Sequence, residues 1–189
     1  MPAVDCIITA AGLSSRMGQW KMMLPWGEGT ILDTSIKNAL QFCQRIILVT
    51  GFRASELHER YSDNPDIIII HNPDYTGGLF TSIKAAAQAV SSEYCFITHG
   101  DMPCLTKEIF NELWQLRTEG ALLPHYRGTP GHPILLTKTC LMQAAADPHA
   151  RSMRQALRAQ ANYPVAMDHA EIIFDIDTPE DFIKGKNRQ

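Results

Sequence analysis

A chain of 189 residues with 45% hydrophobic content can bury a sizeable core, and its length predicts one domain over residues 1–189. The formal charge of −3, with no basic block or polybasic tail, excludes the electrostatic footprint of a nucleic-acid binder. No apolar run is long enough to cross a bilayer, so no membrane role is expected. Cys6, Cys43, Cys95, Cys104 and Cys140 are odd in number, scattered and mostly inside apolar runs. That pattern argues against a disulfide framework or a zinc site, and for buried, inert thiols. With no basic and apolar leader between Met1 and the first strand, the expected location is the cytosol.

Residues 6–25, CIITAAGLSSRMGQWKMMLP, open with an apolar run, pass through small residues and set Ser14, Ser15, Arg16 and Lys21 along a glycine-punctuated loop. A small-residue turn after a buried strand lets backbone N–H groups approach a phosphate, and the two cations add charge. The string is neither G-x-G-x-x-G nor G-x-x-x-x-G-K-[ST], and a plain tight turn is the competing reading. Next come a helix over 31–42, a β-branched strand over 45–50 broken by Gly51, and a short polar helix over 54–61. The isoleucine run 67–71 predicts a third strand that needs burial on both faces, followed by a loop through Gly77-Gly78 and an Ala-rich helix over 82–90. A fourth strand, 94–98, ends at His99-Gly100-Asp101-Met102-Pro103.

Thr106 is a credible N-cap for a helix over 107–117, whose apolar stripe places Trp114 in the core. Short strands follow at 121–124 and 134–136, joined by the turn-rich YRGTPGHP, then helices at 140–146 and 152–158. The last strand is expected at 172–176, and Thr178-Pro179-Glu180 reads as a helix start. Alternating strands and helices predict an α/β fold: a Rossmann-like, mostly parallel sheet with helices on both faces. Ligands in such sheets bind outside the carboxyl ends of the strands, where the polar punctuation after strand upon strand would converge.

Asp101 follows an apolar strand, between Gly100 and Met102-Pro103, with room for a hydrated cation. Asp175 and Asp177 flank Ile176, and strand alternation would point both to one side. Each acid also has a structural reading, as a turn residue or a helix cap. Two strand-end acids beside a cationic loop suit Mg²⁺ and a nucleotide, and hence in-line phosphoryl or nucleotidyl transfer. The chain shows no Ser-His-Asp or Cys-His signature, and its seven histidines lack metal-ligand spacing. His99 and His132 are the two with a claim on substrate.

AAGLSSRMGQWK closely resembles the signature of the MobA-like nucleotidyltransferases, in particular the molybdenum cofactor cytidylyltransferases, and NPDYTGGLFTS, HGDMP, GTPGHPILL and DIDTPEDF extend the likeness along nearly the whole chain. The resemblance implies a fold of the nucleotide-diphospho-sugar transferase type. It also implies transfer of CMP from CTP to molybdopterin with release of pyrophosphate, Mg²⁺ as cofactor, and an apo molybdenum hydroxylase of the xanthine dehydrogenase type as recipient. Carried over by position, Ala10, Ala11, Gly12, Ser14, Ser15 and Arg16 would cradle the CTP phosphates, and Lys21 would reach the α-phosphate. Asp101 and Asp177 would hold the metal, with Asp175 the weaker claimant. Asn72, Gly78, Ser82 and Gly100 fall at the nucleotide pocket, and Gly131 and His132 on the pterin side. Ala11 before Gly12 and Gly100 before Asp101 resemble the cytidylyl rather than the guanylyl members. Thr9, Trp20 and Met22-Met23 depart from common residues without removing a charge. The alternatives are guanylyl or other nucleotidyl transfer to molybdopterin or a small phosphate, and a non-catalytic cofactor carrier.

Overall fold

A computed structural model describes residues 2–187; Met1 lies outside them. In chain order the elements are β1 (Val4–Thr9), β2 (Pro25–Trp26), β3 (Gly29–Thr30), α1 (Ile31–Leu40), β4 (Arg45–Thr50), α2 (Ala54–Tyr61), β5 (Ile67–His71), α3 (Leu79–Ala87), β6 (Tyr94–His99), α4 (Lys107–Gln115), β7 (Ala121–Tyr126), β8 (Thr129–Pro130), β9 (Ile134–Thr137), α5 (Lys138–Ala146), α6 (Met153–Leu157), β10 (Asn162–Ala166) and α7 (Pro179–Lys186). The main sheet runs β10-β7-β9-β6-β1-β4-β5, with β8 paired to β7. Strands β6, β1, β4 and β5 are parallel, and β9 alone lies antiparallel between β6 and β7. The expected mostly parallel α/β sheet is thus present.

Both faces are covered, which is why the central strands read as unbroken apolar runs. Along β1, Cys6 and Ile8 enter one core with Leu32 and Ile36 of α1 and Phe110 of α4, while Ile7 enters the other with Phe80 and Ile83 of α3 and Leu141 of α5. Alternation along a strand sends neighbours to opposite faces. Asp5 is buried at the far end of β1 from the ligand edge, where Arg45 and the Ser91 and Ser92 amides bond its carboxylate. Burial alone would raise its pKa, but those bonds bring it below the usual carboxylate range. Its role is structural. Cys6, Cys43, Cys95 and Cys140 are buried, and burial pushes the Cys6, Cys95 and Cys140 thiols up.

Three expectations need correction. Strand β5 is not buried on both faces: it sits at the sheet edge beside β4, and Ile68, Ile69 and Ile70 are half-buried. Residues 172–176 form no strand. A 3-10 turn over Ala170–Ile173 leads into an extended segment, and its apolar residues are used separately, Ile172 in the core under α1 and Ile176 beside Trp26 and Ile31. The strand at this end of the chain is instead β10, an exposed edge interrupted by Pro164, a residue that sheets tolerate at edges. Thr106 has N-cap backbone geometry, but its side chain bonds no amide of α4. Thr178, by contrast, completes a capping box with Asp181.

Asp33 closes a similar box with Thr30 at the start of α1 and also receives Arg60 and the Tyr61 hydroxyl. Burial would raise its pKa, but Arg60, Tyr61 and the Thr30 side chain hold it at about 2. A depressed folded-state pKa contributes stability that is fully present above the unfolded value and lost as pH falls through the folded one. Because Arg60 is well exposed, the gap in unfolding free energy between the wild type and Asp33→Asn is expected to be about 1 kcal/mol at pH 6. Urea titrations should show it closing between pH 4 and 2.

Candidate functional site

A cavity of about 410 Å³ opens at the carboxyl ends of the parallel strands. Its floor is made where β1 leaves the sheet without losing its hydrogen bonds. The Ala10 amide donates to Val49 O, the Phe52 amide to Ala11 O and the Gly100 amide to Thr9 O, which ties the loop to the ends of β4 and β6. Ser14 and Gly18 then adopt left-handed backbone, with φ of 56° and 71°, and reverse the chain. Ser14 Oγ accepts from the Lys21 amide at 3.3 Å, so the reversal carries Lys21 back into the cavity.

There the Lys21 ammonium donates to Asp101 Oδ2 at 2.6 Å and to Asp177 Oδ1 at 2.7 Å, and Arg16 closes on Asp177 Oδ2 at 2.6 Å. Asp175 joins them: Asp101, Asp175 and Asp177 each present an oxygen within 4.8 Å of the others. No strand brings these acids together. The Ile176 amide donates to Asp101 O at 2.9 Å, and the Asp177 amide donates to Asp181, the capping carboxylate of α7, so the helix start anchors the segment. Asp101 and Lys21 are both 8% exposed. Burial raises the pKa of Asp101 against the pull of Lys21, and burial with the charges of Asp101 and Asp177 lifts Asp175 to about 6. Burial also opposes the charge on Asp177, yet Lys21 and Arg16 hold it low; burial likewise opposes the charge on Lys21, but Asp101 and Asp177 raise it above the usual lysine value. Asp101 Oδ1 is buried with no hydrogen-bond partner among the described residues. Three convergent carboxylates with an orphaned oxygen fit a hard divalent cation, which takes oxygen ligands.

The other sequence candidates divide. Ala11, Gly12, Ser14, Ser15, Arg16, Gly78 and Ser82 line the cavity with Lys21, Asp101 and Asp177. Ala10, Asn72 and Gly100 stand behind it. The Asn72 amide bonds Thr81 Oγ1 and Ser82 Oγ, and its carbonyl accepts from the Asp74 amide, bracing the loop. A Cβ on Gly100 would lie 2.8 Å from Leu32 Cδ1, so glycine there serves close packing. His99 lines the cavity, with Nδ1 2.8 Å from Thr9 Oγ1, while Gly131 and His132 line a second cavity alongside. Burial and the charge of Lys21 push His99 down to about 4; burial and His99 push His132 to about 3. Both rings are neutral near pH 7. Trp20 is buried edge-on to Phe52, with Arg53 4.7 Å above its ring.

Thr9, Met22, Tyr75 and Leu79 also line the cavity; Tyr75 and Leu79 fall within NPDYTGGLFTS, but the sequence singles out none of the four for it. The sequence reads Gly51 as a strand breaker in one of the loops that converge on the ligand edge, and a Cβ on it would fall 2.6 Å from Tyr75 Cβ and 2.8 Å from Ala11 Cβ. Gly51→Ala must therefore push Tyr75 and Ala11 apart within the cavity wall. At the 1–3 kcal/mol typical of overpacking, nucleotide binding is expected to weaken about tenfold, readable by calorimetric titration.

Residues 6–165 match the MobA-like NTP transferase domain. The chain is 66% identical over 188 residues to the molybdenum cofactor cytidylyltransferase of Escherichia coli (strain K12), covering 100% of this chain and 98% of that protein. It is 28% identical over 187 residues to a probable molybdenum cofactor guanylyltransferase of Mycolicibacterium paratuberculosis, covering 93% and 91%. The crystal structure of Rv0371c from Mycobacterium tuberculosis H37Rv shares the fold, with a TM-score of 0.82 at 21% identity over 98% of this chain and 99% of that one. The loop that returns Lys21 to a carboxylate cluster at the sheet's ligand edge, and the family match across most of the length, lead to one conclusion: this chain is a nucleotidyltransferase of the MobA-like NTP transferase family.

Proposed function

We propose that the protein transfers CMP from CTP to the terminal phosphate of molybdopterin, releasing pyrophosphate. The observation that carries a nucleotidyl transfer is Lys21 set between Asp101 and Asp177 on the floor of the cavity. The choice of CTP and molybdopterin rests on the 66% identity to a protein named for that activity. An acceptor phosphate oxygen forms a bond to the α-phosphorus of CTP as the bond to the bridging oxygen breaks, and pyrophosphate leaves with the electron pair.

The chain's own groups divide the work. The backbone from Ala11 to Ser15 and the Arg16 guanidinium bind the outgoing phosphates. The Lys21 ammonium moves from the carboxylates to the α-phosphate and stabilises the charge that builds there. Neutral His99, held by Thr9, offers a ring nitrogen to the incoming phosphate. Asp101, Asp177 and Asp175 would hold Mg²⁺, which when bound neutralises phosphate charge and orients the leaving group. No helix of the described residues is long and apolar enough to cross a membrane. A cytosolic enzyme handing its dinucleotide product to an apo molybdenum hydroxylase of the xanthine dehydrogenase type completes this reading.

The test supplies purified protein with Mg²⁺, molybdopterin and labelled CTP or GTP and follows pyrophosphate and the dinucleotide. Turnover with CTP well above that with GTP is expected. A preference for GTP would overturn the cytidylyl assignment, and tight molybdopterin binding without turnover of either nucleotide would favour a carrier.

A further inference from the structure

Asp101 carries the orphaned oxygen of the acidic triad, and the peptides on both sides of it are held from outside the cavity. Gly100 packs directly on α1, where a Cβ would lie 2.8 Å from Leu32 Cδ1. That close approach brings Gly100 O to the Ser35 hydroxyl, which donates to it at 2.9 Å from three residues along the same helix face. The hydroxyl also reaches Ile31 O, at the longer distance of 3.1 Å. Ser35 is 5% exposed, so solvent offers Gly100 O no ready substitute. Three residues further on, the Asn38 side-chain amide donates to Pro103 O at 2.9 Å.

These bonds decide where the carboxylate stands. The Ser35 bond fixes the plane of the peptide before Asp101, and the Ile176 amide, donating to Asp101 O at 2.9 Å, fixes the plane after it. Peptide groups are rigid, so two fixed planes set both backbone dihedrals of Asp101 and leave only its side chain free to turn. Lys21 holds that side chain at 2.6 Å. Once the ammonium moves to a phosphate, the carboxylate keeps its place through the backbone alone. Mg²⁺ demands near-ideal octahedral ligands and gains from such a frame, whereas Ca²⁺ accepts flexible ones.

We infer that Ser35 and Asn38 are positioning residues for Asp101, and that Ser35 in particular sets the affinity of the triad for a small divalent cation and its preference for that cation over Ca²⁺. Neither side chain lines the cavity; both act on the loop from behind. The inference rests on the triad being a cation site, as read above. Thr34 of α1 supplies a matched comparison. Its hydroxyl donates to Thr30 O at 3.0 Å, as that of Ser35 does to Ile31 O, but among the described residues it makes no hydrogen bond to the loop.

The experiment titrates Mn²⁺, and Ca²⁺ in competition with it, onto nucleotide-free wild type and the Ser35→Ala, Asn38→Ala, Thr34→Ala and Asp101→Ala variants. Electron paramagnetic resonance reads bound Mn²⁺, and thermal melting checks each fold. Removing a group that orients a ligand is expected to weaken Mn²⁺ binding about tenfold in Ser35→Ala, with a smaller loss for Ca²⁺. Asn38 acts two residues beyond Asp101, and its loss should cost about threefold, the worth of one modest hydrogen bond. Thr34→Ala should bind as the wild type does, and Asp101→Ala should not bind. In turnover, the deficit of Ser35→Ala should close as Mg²⁺ is raised. Unaltered Mn²⁺ affinity in Ser35→Ala and Asn38→Ala would overturn the inference, as would an equal loss in Thr34→Ala; should Ser35→Ala not fold, Asn38→Ala decides. Wild-type binding that survives in Asp101→Ala would defeat the triad as the cation site and the inference with it. A wild type that binds Mn²⁺ through Asp101 but transfers no CMP would defeat the proposed reaction alone, and weaker binding by Ser35→Ala would still support the positioning role.

Discussion

Replacing Lys21 by methionine is expected to lower kcat about 10³-fold, the upper range for removing one charge stabiliser from a transition state. The same change should tighten divalent-cation binding to the nucleotide-free protein. The ammonium lies 2.6 and 2.7 Å from two carboxylates of the acidic triad, so a cation entering the triad competes with a resident positive charge. A CTP α-phosphate that draws the lysine away frees those oxygens, which couples nucleotide and cation binding. Without the ammonium, Asp101 faces burial with no counter-ion beside it, and breaking a buried pair costs about 3 kcal/mol. The variant should therefore melt lower in chelator and regain stability when Mn²⁺ is added. Single-turnover assays with labelled CTP and calorimetric titration of Mn²⁺ read the two halves. An unchanged kcat would remove Lys21 from the chemistry, and weaker Mn²⁺ binding would show that it does not compete.

Asp101→Ala is expected to cut kcat/KM by about 10³-fold, through loss of the most buried carboxylate of the triad and of the cation it would help hold. Unlike the lysine change, it should leave the fold nearly as stable. Burial already disfavours the charge on Asp101, and Lys21 keeps Asp177 as a partner. Binding of CTP in chelator should be little affected, while the gain in affinity on adding Mg²⁺ should disappear. Full activity in this variant would sink the assignment of Asp101 to the metal.

Much of this arrangement is legible in the residues. Strands β1 and β4 are apolar runs because helices cover both faces, and such runs announce themselves; the elements at 45–50, 54–61 and 67–71 fall where the sequence puts them, although β5 lies half-buried at the sheet edge. The cationic loop after β1 and the acid after β6 could be assigned to the same edge because parallel strands bring their carboxyl ends together. Reading failed where pattern and packing part. The apolar pattern of 172–176 is met without strand pairing, by sending Ile172 and Ile176 into separate cores, and β10 carries a proline and lies mostly exposed. Chain direction placed the loops of Ala11, Gly51 and Tyr75 at one edge, but the close contact among the three residues had no signal, since it is set by packing between segments distant in sequence.

By itself the sequence determined the class of sheet, the phosphate-suited loop and the acids that could serve a cation, because each depends on local pattern and on a rule of chain direction. The tertiary structure alone decided that Lys21 sits between Asp101 and Asp177, that Asp175 joins them, and that Asn72 and Gly100 support the cavity from behind. Those facts turn on distances of a few ångströms between segments up to 156 residues apart. Only packing brings them that close, through the amide of Ile176 on Asp101 and the cap of α7 that anchors Asp177.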